Sequence, residues 1–366
     1  VDGVFDIVHL GHANALRKAR AMGSRLVVGV HSDKEVLDNK GPTLYTEAER
    51  YEMVRACKWV DRVEEGSPYH TSLQVMDRCG AAFCAHADDP SVSIDGTDTY
   101  AEVKAAGRMR TFARTPSIST TDIIQRILGV VATPTHLSPY TGASPFVPCV
   151  SKYAAFYGGV SLSQTKTAGA EQTKASLKTR VAYCPGTWDL PHIGHVRFLN
   201  SLRTAHGYTR VVCGVLPVDG TTLTVPERVM SLASLRGVDD VSMSPFPAST
   251  AWLDELGAGG AGVDVVVGSE SGREPIDFPE HLRLHIERVC ERVRVVESPL
   301  PGYTAQTVRD RVETNRAHYL SRNRAKAERE LDTAAAPSRM APSSSKGTGA
   351  HNQGETQEGG GVGLTW

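Results

Sequence analysis

One ten-residue stretch, written twice, constrains this chain more than anything else in it. Gly3-Val-Phe-Asp-Ile-Val-His9-Leu-Gly-His12 returns as Gly186-Thr-Trp-Asp-Leu-Pro-His192-Ile-Gly-His195 with the same internal spacing. Each copy is followed by a helical pattern and then by a Val-rich strand, over residues 25–31 and 208–216. Such agreement marks an internal duplication. Locally each copy reads as strand, tight loop and helix N-terminus. Backbone N–H groups and the positive end of a helix dipole then converge on one spot. Gly11 lacks a Cβ and lets a bulky anion approach the backbone, while His9 and His12 add two side-chain donors. A single His-x-Gly-His reads equally well as a cap and a core histidine; the repetition lifts it above that.

Composition bounds what such a pair of units can be. The 366 residues leave room for two domains with their own cores. A net charge of −1 argues against a general nucleic-acid binder, which would be clearly basic. No long uncharged apolar run is present, so no transmembrane helix is expected. The seven cysteines are scattered and include no Cys-x-x-Cys, which implies neither a zinc site nor a disulfide framework. A reducing, cytoplasmic compartment follows. Val1 falls inside a strand, so residues ahead of it are expected.

Along the chain, residues 33–41 read as a polar connection ending in Asn39-Lys40-Gly41-Pro42. Thr46-Glu47-Ala48-Glu49 reads as an N-cap with an acidic first turn, and Trp59 to Val63 as a short strand. The strand over 81–85 runs into His86, Asp88 and Asp89, at the end where α/β sheets bind ligands. Asp98-Thr99-Tyr100 opens another helix. Arg114 stands ahead of Ser119-Thr120-Thr121 and an apolar-periodic segment. Three hydroxyls behind an arginine exceed what a helix cap needs. Residues 131–180 read as a linker, mobile at least over 161–177, with an apolar island at 146–157 that packs on a domain. Residues 305–333 read as a charged helix, and the chain from 334 is too polar to bury a core.

These motifs resemble the cytidylyltransferase family of nucleotidyltransferases, closely over residues 1–130 and more weakly over 180–325. Among its members the resemblance is to those with two domains in tandem. It implies an α/β fold of two tandem Rossmann-like nucleotidyltransferase domains, each a parallel sheet flanked by helices. The implied division is a catalytic domain at 1–130, the linker, a degenerate second domain at 181–333 and a disordered tail at 334–366. The domains are expected to pair as a pseudo-dimer, with a homodimer of chains as a further option. The implied reaction transfers CMP from CTP to phosphoethanolamine, releasing pyrophosphate, in phospholipid synthesis, with Mg2+ arriving on CTP. The location implied is the cytoplasm, extending to the cytosolic face of the endoplasmic reticulum.

Residue by residue, the resemblance assigns catalysis to His9, His12 and Lys40. It assigns CTP to Val4, Phe5, Gly11, Arg114, Ser119, Thr120 and Thr121. The acceptor falls to Asp6, Tyr69, His86, Asp88, Asp89 and Tyr100, since a primary ammonium offers three N–H donors to carboxylates. The family usually has glycine where this chain has Ser117. The second copy keeps His192 and His195 but loses the lysine and the arginine loop, so it is expected to bind CTP poorly. Two alternatives stay open: the same chemistry on phosphocholine, or a weakly active nucleotide-binding scaffold.

Overall fold

Strand β6 (Arg180–Gly186) is the axis of the second copy, and its neighbours show how each copy is wound. The computed structural model describes residues 1–93, 96–134, 180–216, 218–242, 262–270, 274–275 and 292–335. Parallel to β6 lie β7 (Arg210–Val215) on one side and β9 (Gly262–Glu270) on the other. Outside them run β8 (Asp240–Ser242) and β11 (Val293–Glu297), also parallel. A short β10 (Glu274–Pro275) pairs antiparallel with the end of β9. The order β11-β9-β6-β7-β8 is that of a doubly wound sheet. Its strands read as near-continuous apolar runs because helices cover both faces; in β7, Val211, Val212, Cys213 and Val215 are all buried.

The first copy repeats this winding. Strands β1 (Asp2–Gly3), β2 (Val27–His31) and β3 (Arg62–Ser67) are parallel neighbours, and β4 (Cys84–Ala87) pairs in parallel with β5 (Met109–Phe112). In the second copy the segment Arg180–Tyr183 of β6 joins the halves through β9. In the first copy β1-β2-β3 and β4-β5 pair as two separate groups. The tandem Rossmann-like reading of the sequence agrees with both copies.

Three local readings are corrected. Residues 33–39 form a helix, Asp33–Asn39, because Ser32 caps it through the Glu35 N–H. The strand read at Trp59 starts only at Arg62. The charged segment after Thr304 is two helices, Ala305–Thr314 and Arg316–Ala335, broken at Asn315. The linker core, with its apolar island at 146–157, and the tail from 336 lie outside the described residues.

By contact density the chain divides into Val1–Leu320, which carries both copies, and Ser321–Trp366. Within the first unit the copies meet through reciprocal contacts. Helix Glu47–Arg55 and helix Val225–Ala233 are equivalent, each with a capping box, Thr46 with Glu49 and Thr224 with Glu227. Arg126 donates to both carboxylate oxygens of Glu227 at 2.8 and 3.1 Å. In mirror fashion Arg311 donates to both oxygens of Glu49 at 2.8 and 2.9 Å. The Lys58 N–H donates to the Ser234 carbonyl, and the Arg236 N–H to the Ala56 carbonyl. Trp59 and its neighbours therefore lie beside this seam and not within a strand.

Candidate active site

The loop between β1 and helix Leu10–Ala21 is strained in a repeated way. Phe5 and Ile7 are left-handed at φ 55° and 45°, and so are their counterparts Trp188 and Leu190 at 53° and 46°. Bulky residues there cost on the order of 1–3 kcal/mol each, so the surroundings must hold them. Arg50, fully buried, does part of this by donating to the Val4 carbonyl at 2.8 Å and to Asp33 at 2.8 Å. Arg228 reproduces it on the Thr187 and Leu216 carbonyls. The zigzag also turns Asp6 inward, where its carboxylate accepts the Leu44 and Tyr45 N–H groups at 2.8 and 2.9 Å. Asp189 does the same for Thr222 and Leu223.

That loop delivers His9 to the helix start as its N-cap. His9 Nδ1 accepts the Gly11 N–H at 2.9 Å, which puts the ring proton on Nε2. His12 follows on the first turn, with the two rings 4.1 Å apart between centroids. Burial, the neighbouring His12, and Arg114 and Arg126 hold the His9 imidazole well below its ordinary pKa. Burial and the Lys40 ammonium push His12 down to about 4, against a hydrogen bond to the Ile7 backbone. His12 Nδ1 is shut off from solvent with no hydrogen-bond partner. Both rings are neutral at pH 7. Lys40, exposed at the end of helix Asp33–Asn39, lies within electrostatic reach of His12, and Arg114 within reach of both rings.

The hydroxyl run closes the opposite wall. Ser119 caps helix Thr120–Ile127 through the Asp122 N–H, and Thr120 donates to the Asp6 carbonyl at 3.0 Å. Thr121 sits on the same first turn. Ser117 is left-handed at φ 62°, and its counterpart in the second copy is Gly302 at φ 79°. Ile118 reaches within 3.4 Å of where a Gly11 Cβ would stand. Val4 and Phe5 lie beneath, the Phe5 ring 5.4 Å from His12.

The second copy is built alike and filled. His192 and His195 stack at 3.8 Å, both fully buried, and neither ring nitrogen of His192 has a partner. Tyr303 takes the place of Ile118. Its carbonyl lies 2.8 Å from where a Gly194 Cβ would stand, and its ring is 5.1 Å from His192. Nothing corresponds to helix Asp33–Asn39 or to its terminal lysine; a turn over 218–223 replaces them.

The sequence profile of the cytidylyltransferase-like family matches residues 1–126 and 183–344, spanning both copies. The chain belongs to the cytidylyltransferase-like family. It is 36% identical over 365 residues to the ethanolamine-phosphate cytidylyltransferase of Dictyostelium discoideum, covering 91% of this chain and 95% of that one. To the enzyme of the same name from Mus musculus it is 31% identical, covering 90% and 89%. Choline-phosphate cytidylyltransferase 2 of Arabidopsis thaliana is 40% identical, but over 131 residues, or 35% of this chain.

The residues read from the sequence as acceptor contacts also have partners within the chain. Asp6 gives its carboxylate to the Leu44 and Tyr45 amides and so latches the loop. Asp88 accepts the Arg114 N–H at 2.9 Å, and Asp89 pairs with the Arg114 guanidinium at 3.7 Å. Both acids thus hold the arginine loop. Tyr100 is buried and donates its hydroxyl to Asp2, which also receives the Thr71 hydroxyl. Tyr69 packs against His31 at 5.1 Å, and His86 against Tyr100 at 4.9 Å. The sequence reading missed Asp2, His31 and Thr71 in this polar cluster. Asp2 carries a signal in retrospect: it is an acid inside an apolar strand. No helix among the described residues is long and apolar enough to cross a membrane.

Proposed function

We propose that the first copy transfers CMP from CTP to phosphoethanolamine, giving CDP-ethanolamine and pyrophosphate. The observation that carries this reading is the asymmetry of two copies with one loop geometry. In the first, His9 and His12 stand at a helix N-terminus beside Gly11, with Lys40 and Arg114 in electrostatic reach of them. In the second, Tyr303 fills the same spot. The second copy is then a structural partner, and the two form a pseudo-dimer through the reciprocal Arg126–Glu227 and Arg311–Glu49 pairs.

The mechanism follows from charge. A phosphate oxygen of the acceptor attacks the α-phosphorus of CTP, and pyrophosphate leaves in line. The acceptor phosphate has a second pKa of about 6 and needs no general base at pH 7. His9 Nε2–H is a neutral donor, fixed in that tautomer by Gly11. A triphosphate beside His12 raises its depressed pKa, so His12 becomes a donor in the loaded site. Lys40 and Arg114 take the leaving phosphates, where charge accumulates. The roles of Gly11, Ser119, Thr120 and Thr121 are to shape that anion-binding wall. Mg2+ on CTP would neutralise phosphate charge. Among the described residues no three His, Cys, Asp or Glu gather into a ligand set, so its ligands would be nucleotide oxygens and water.

The acceptor's ammonium is assigned to the cluster of Asp2, Tyr69, His86 and Tyr100, in which Asp2 is a buried carboxylate. The relatives that match most of this chain are named for ethanolamine phosphate, whereas the choline-named match covers a third of it. The test is pyrophosphate release from CTP with phosphoethanolamine and phosphocholine in parallel. A site that hydrogen-bonds an N–H can reject an analogue lacking it by up to about 10⁴-fold. Equal kcat/KM for the two acceptors would sink the assignment.

A further inference from the structure

The degenerate copy has lost its own phosphate-binding residues, yet it reaches into the working one at a definite place. Arg311 lies on helix Ala305–Thr314 of the second copy. Its guanidinium spans both Glu49 oxygens, and Nη1 also donates to the Leu44 carbonyl at 3.3 Å. Glu49 accepts the Thr46 N–H at 2.8 Å and so caps helix Glu47–Arg55. Leu44 and Tyr45 are the residues whose N–H groups Asp6 holds. Arg311 therefore holds the helix-side end of the segment that runs from Lys40 to the helix start. Seven residues further on, on the next helix, the His318 ring stands 3.4 Å from where a Gly41 Cβ would be, beside Lys40 at the other end of the segment.

We propose that Arg311 is a positioning residue for the first copy: it braces the Lys40–Thr46 segment so that the lysine is held for the CTP phosphates. The proposal rests on the reading of Lys40 as a phosphate ligand. Arg311 touches no substrate; it acts through Glu49 and the Leu44 carbonyl. The brace also gives a reason for keeping an entire second domain. Burying the guanidinium's approach to Glu49 requires the helix that carries it, and that helix is seated by the second copy's core, with Val308 and Val312 fully buried. The Arg311 guanidinium stands 5.1 Å from the Tyr303 ring, the same side chain that fills the second site.

The test compares full-length wild type, R311A and R311K. Hydrogen exchange over residues 42–46, read by mass spectrometry, reports the segment without any need for turnover. R311A is expected to speed it at least tenfold while the β2 amides keep their protection. In pyrophosphate release, R311A should raise the KM for CTP about tenfold and leave the KM for phosphoethanolamine within threefold. R311K keeps the charge but not the two-oxygen grip and should recover part of the loss. Unchanged exchange over 42–46 in folded R311A overturns the proposal. So does faster exchange spread over the whole first copy, or faster local exchange with an unchanged KM for CTP. Should R311A fail to fold, E49Q weakens the same pair from the other side and must show the same local pattern. A wild-type chain that turns over CTP with no acceptor would refute the proposed function, while the exchange result would still decide whether Arg311 braces the segment.

Discussion

Ser117 and Gly302 offer a matched experiment on the loop that closes each site. Both are left-handed, at φ 62° and 79°, at equivalent places ahead of the capping residues Ser119 and Thr304. An L-residue in this conformation costs about 1–2 kcal/mol. Glycine removes that cost but gives the unfolded chain extra freedom worth about 0.4–1 kcal/mol. The difference leaves Ser117→Gly stabilising by roughly 0.5–1 kcal/mol. Gly302→Ser should destabilise by a similar amount, and sterics do not intrude, because a Cβ on Gly302 meets nothing within 4 Å. The assay is urea unfolding of each variant, followed by fluorescence, with thermal melting as a check. Shifts of about 1–3 °C of opposite sign are expected. If Ser117→Gly lowers stability, or if both substitutions move it in the same direction, the loop is not strained where the backbone says it is.

Three further outcomes follow from the site. His12→Ala or Lys40→Ala should lower kcat/KM about 10²–10³-fold, the usual loss of one charge-stabilising donor. His195→Ala, in the filled copy, should show up in melting temperature rather than in kcat; equal kinetic losses from His12→Ala and His195→Ala would mean that both sites turn over. His9 and His12 are neutral in the folded chain, with His12 at about 4, whereas histidines in the unfolded chain titrate near their ordinary value. Stability should therefore fall as pH drops from about 6.5 toward about 4, and the slope should flatten in His12→Ala; urea midpoints across that range check it. Truncation after Leu331 should leave kcat/KM for CTP within about tenfold, or 1.4 kcal/mol, because the removed residues are too polar to bury a core.

What the sequence made legible was what a short pattern can carry. The doubled His-x-Gly-His stretch fixes strand, loop and helix start twice over, and hydroxyl caps such as Thr46 and Ser119 are local signals that the backbone obeys. Helix Asp33–Asn39 was hidden because it is short: Ser32, Asp33 and Glu35 mark its start, but one buried side chain, Val36, is too little periodicity to read. The internal partners of the acids were hidden for a different reason. Asp88 and Asp89 do sit at the end of a strand, but the partner that claims them, Arg114, is 25 or more residues away in sequence. Likewise nothing near Asp6 in the sequence reveals that the Leu44 and Tyr45 N–H groups donate to its two oxygens. Long-range partners of charged groups are set by tertiary packing, and no spacing rule reports them.

The two copies together explain why sequence divergence has been so uneven along this chain. Residues that hold the strained loop are the same in both, Asp6 and Asp189, Arg50 and Arg228, and the left-handed positions stay large and apolar, Phe5 with Trp188 and Ile7 with Leu190. Residues that would meet a triphosphate differ: Lys40 has no counterpart, and Ile118 becomes Tyr303. A copy that did not bind CTP would be free to lose the second set but not the first, because the loop's latch also holds the start of helices Glu47–Arg55 and Val225–Ala233. Glu49 and Glu227 on those helices receive Arg311 and Arg126 from the opposite copy. Arg126 is in turn close enough to lower the pKa of His9. The second copy therefore bears on the electrostatics of the first: replacing Glu227 alone would leave the Arg126 guanidinium buried near His9 with no carboxylate to balance it.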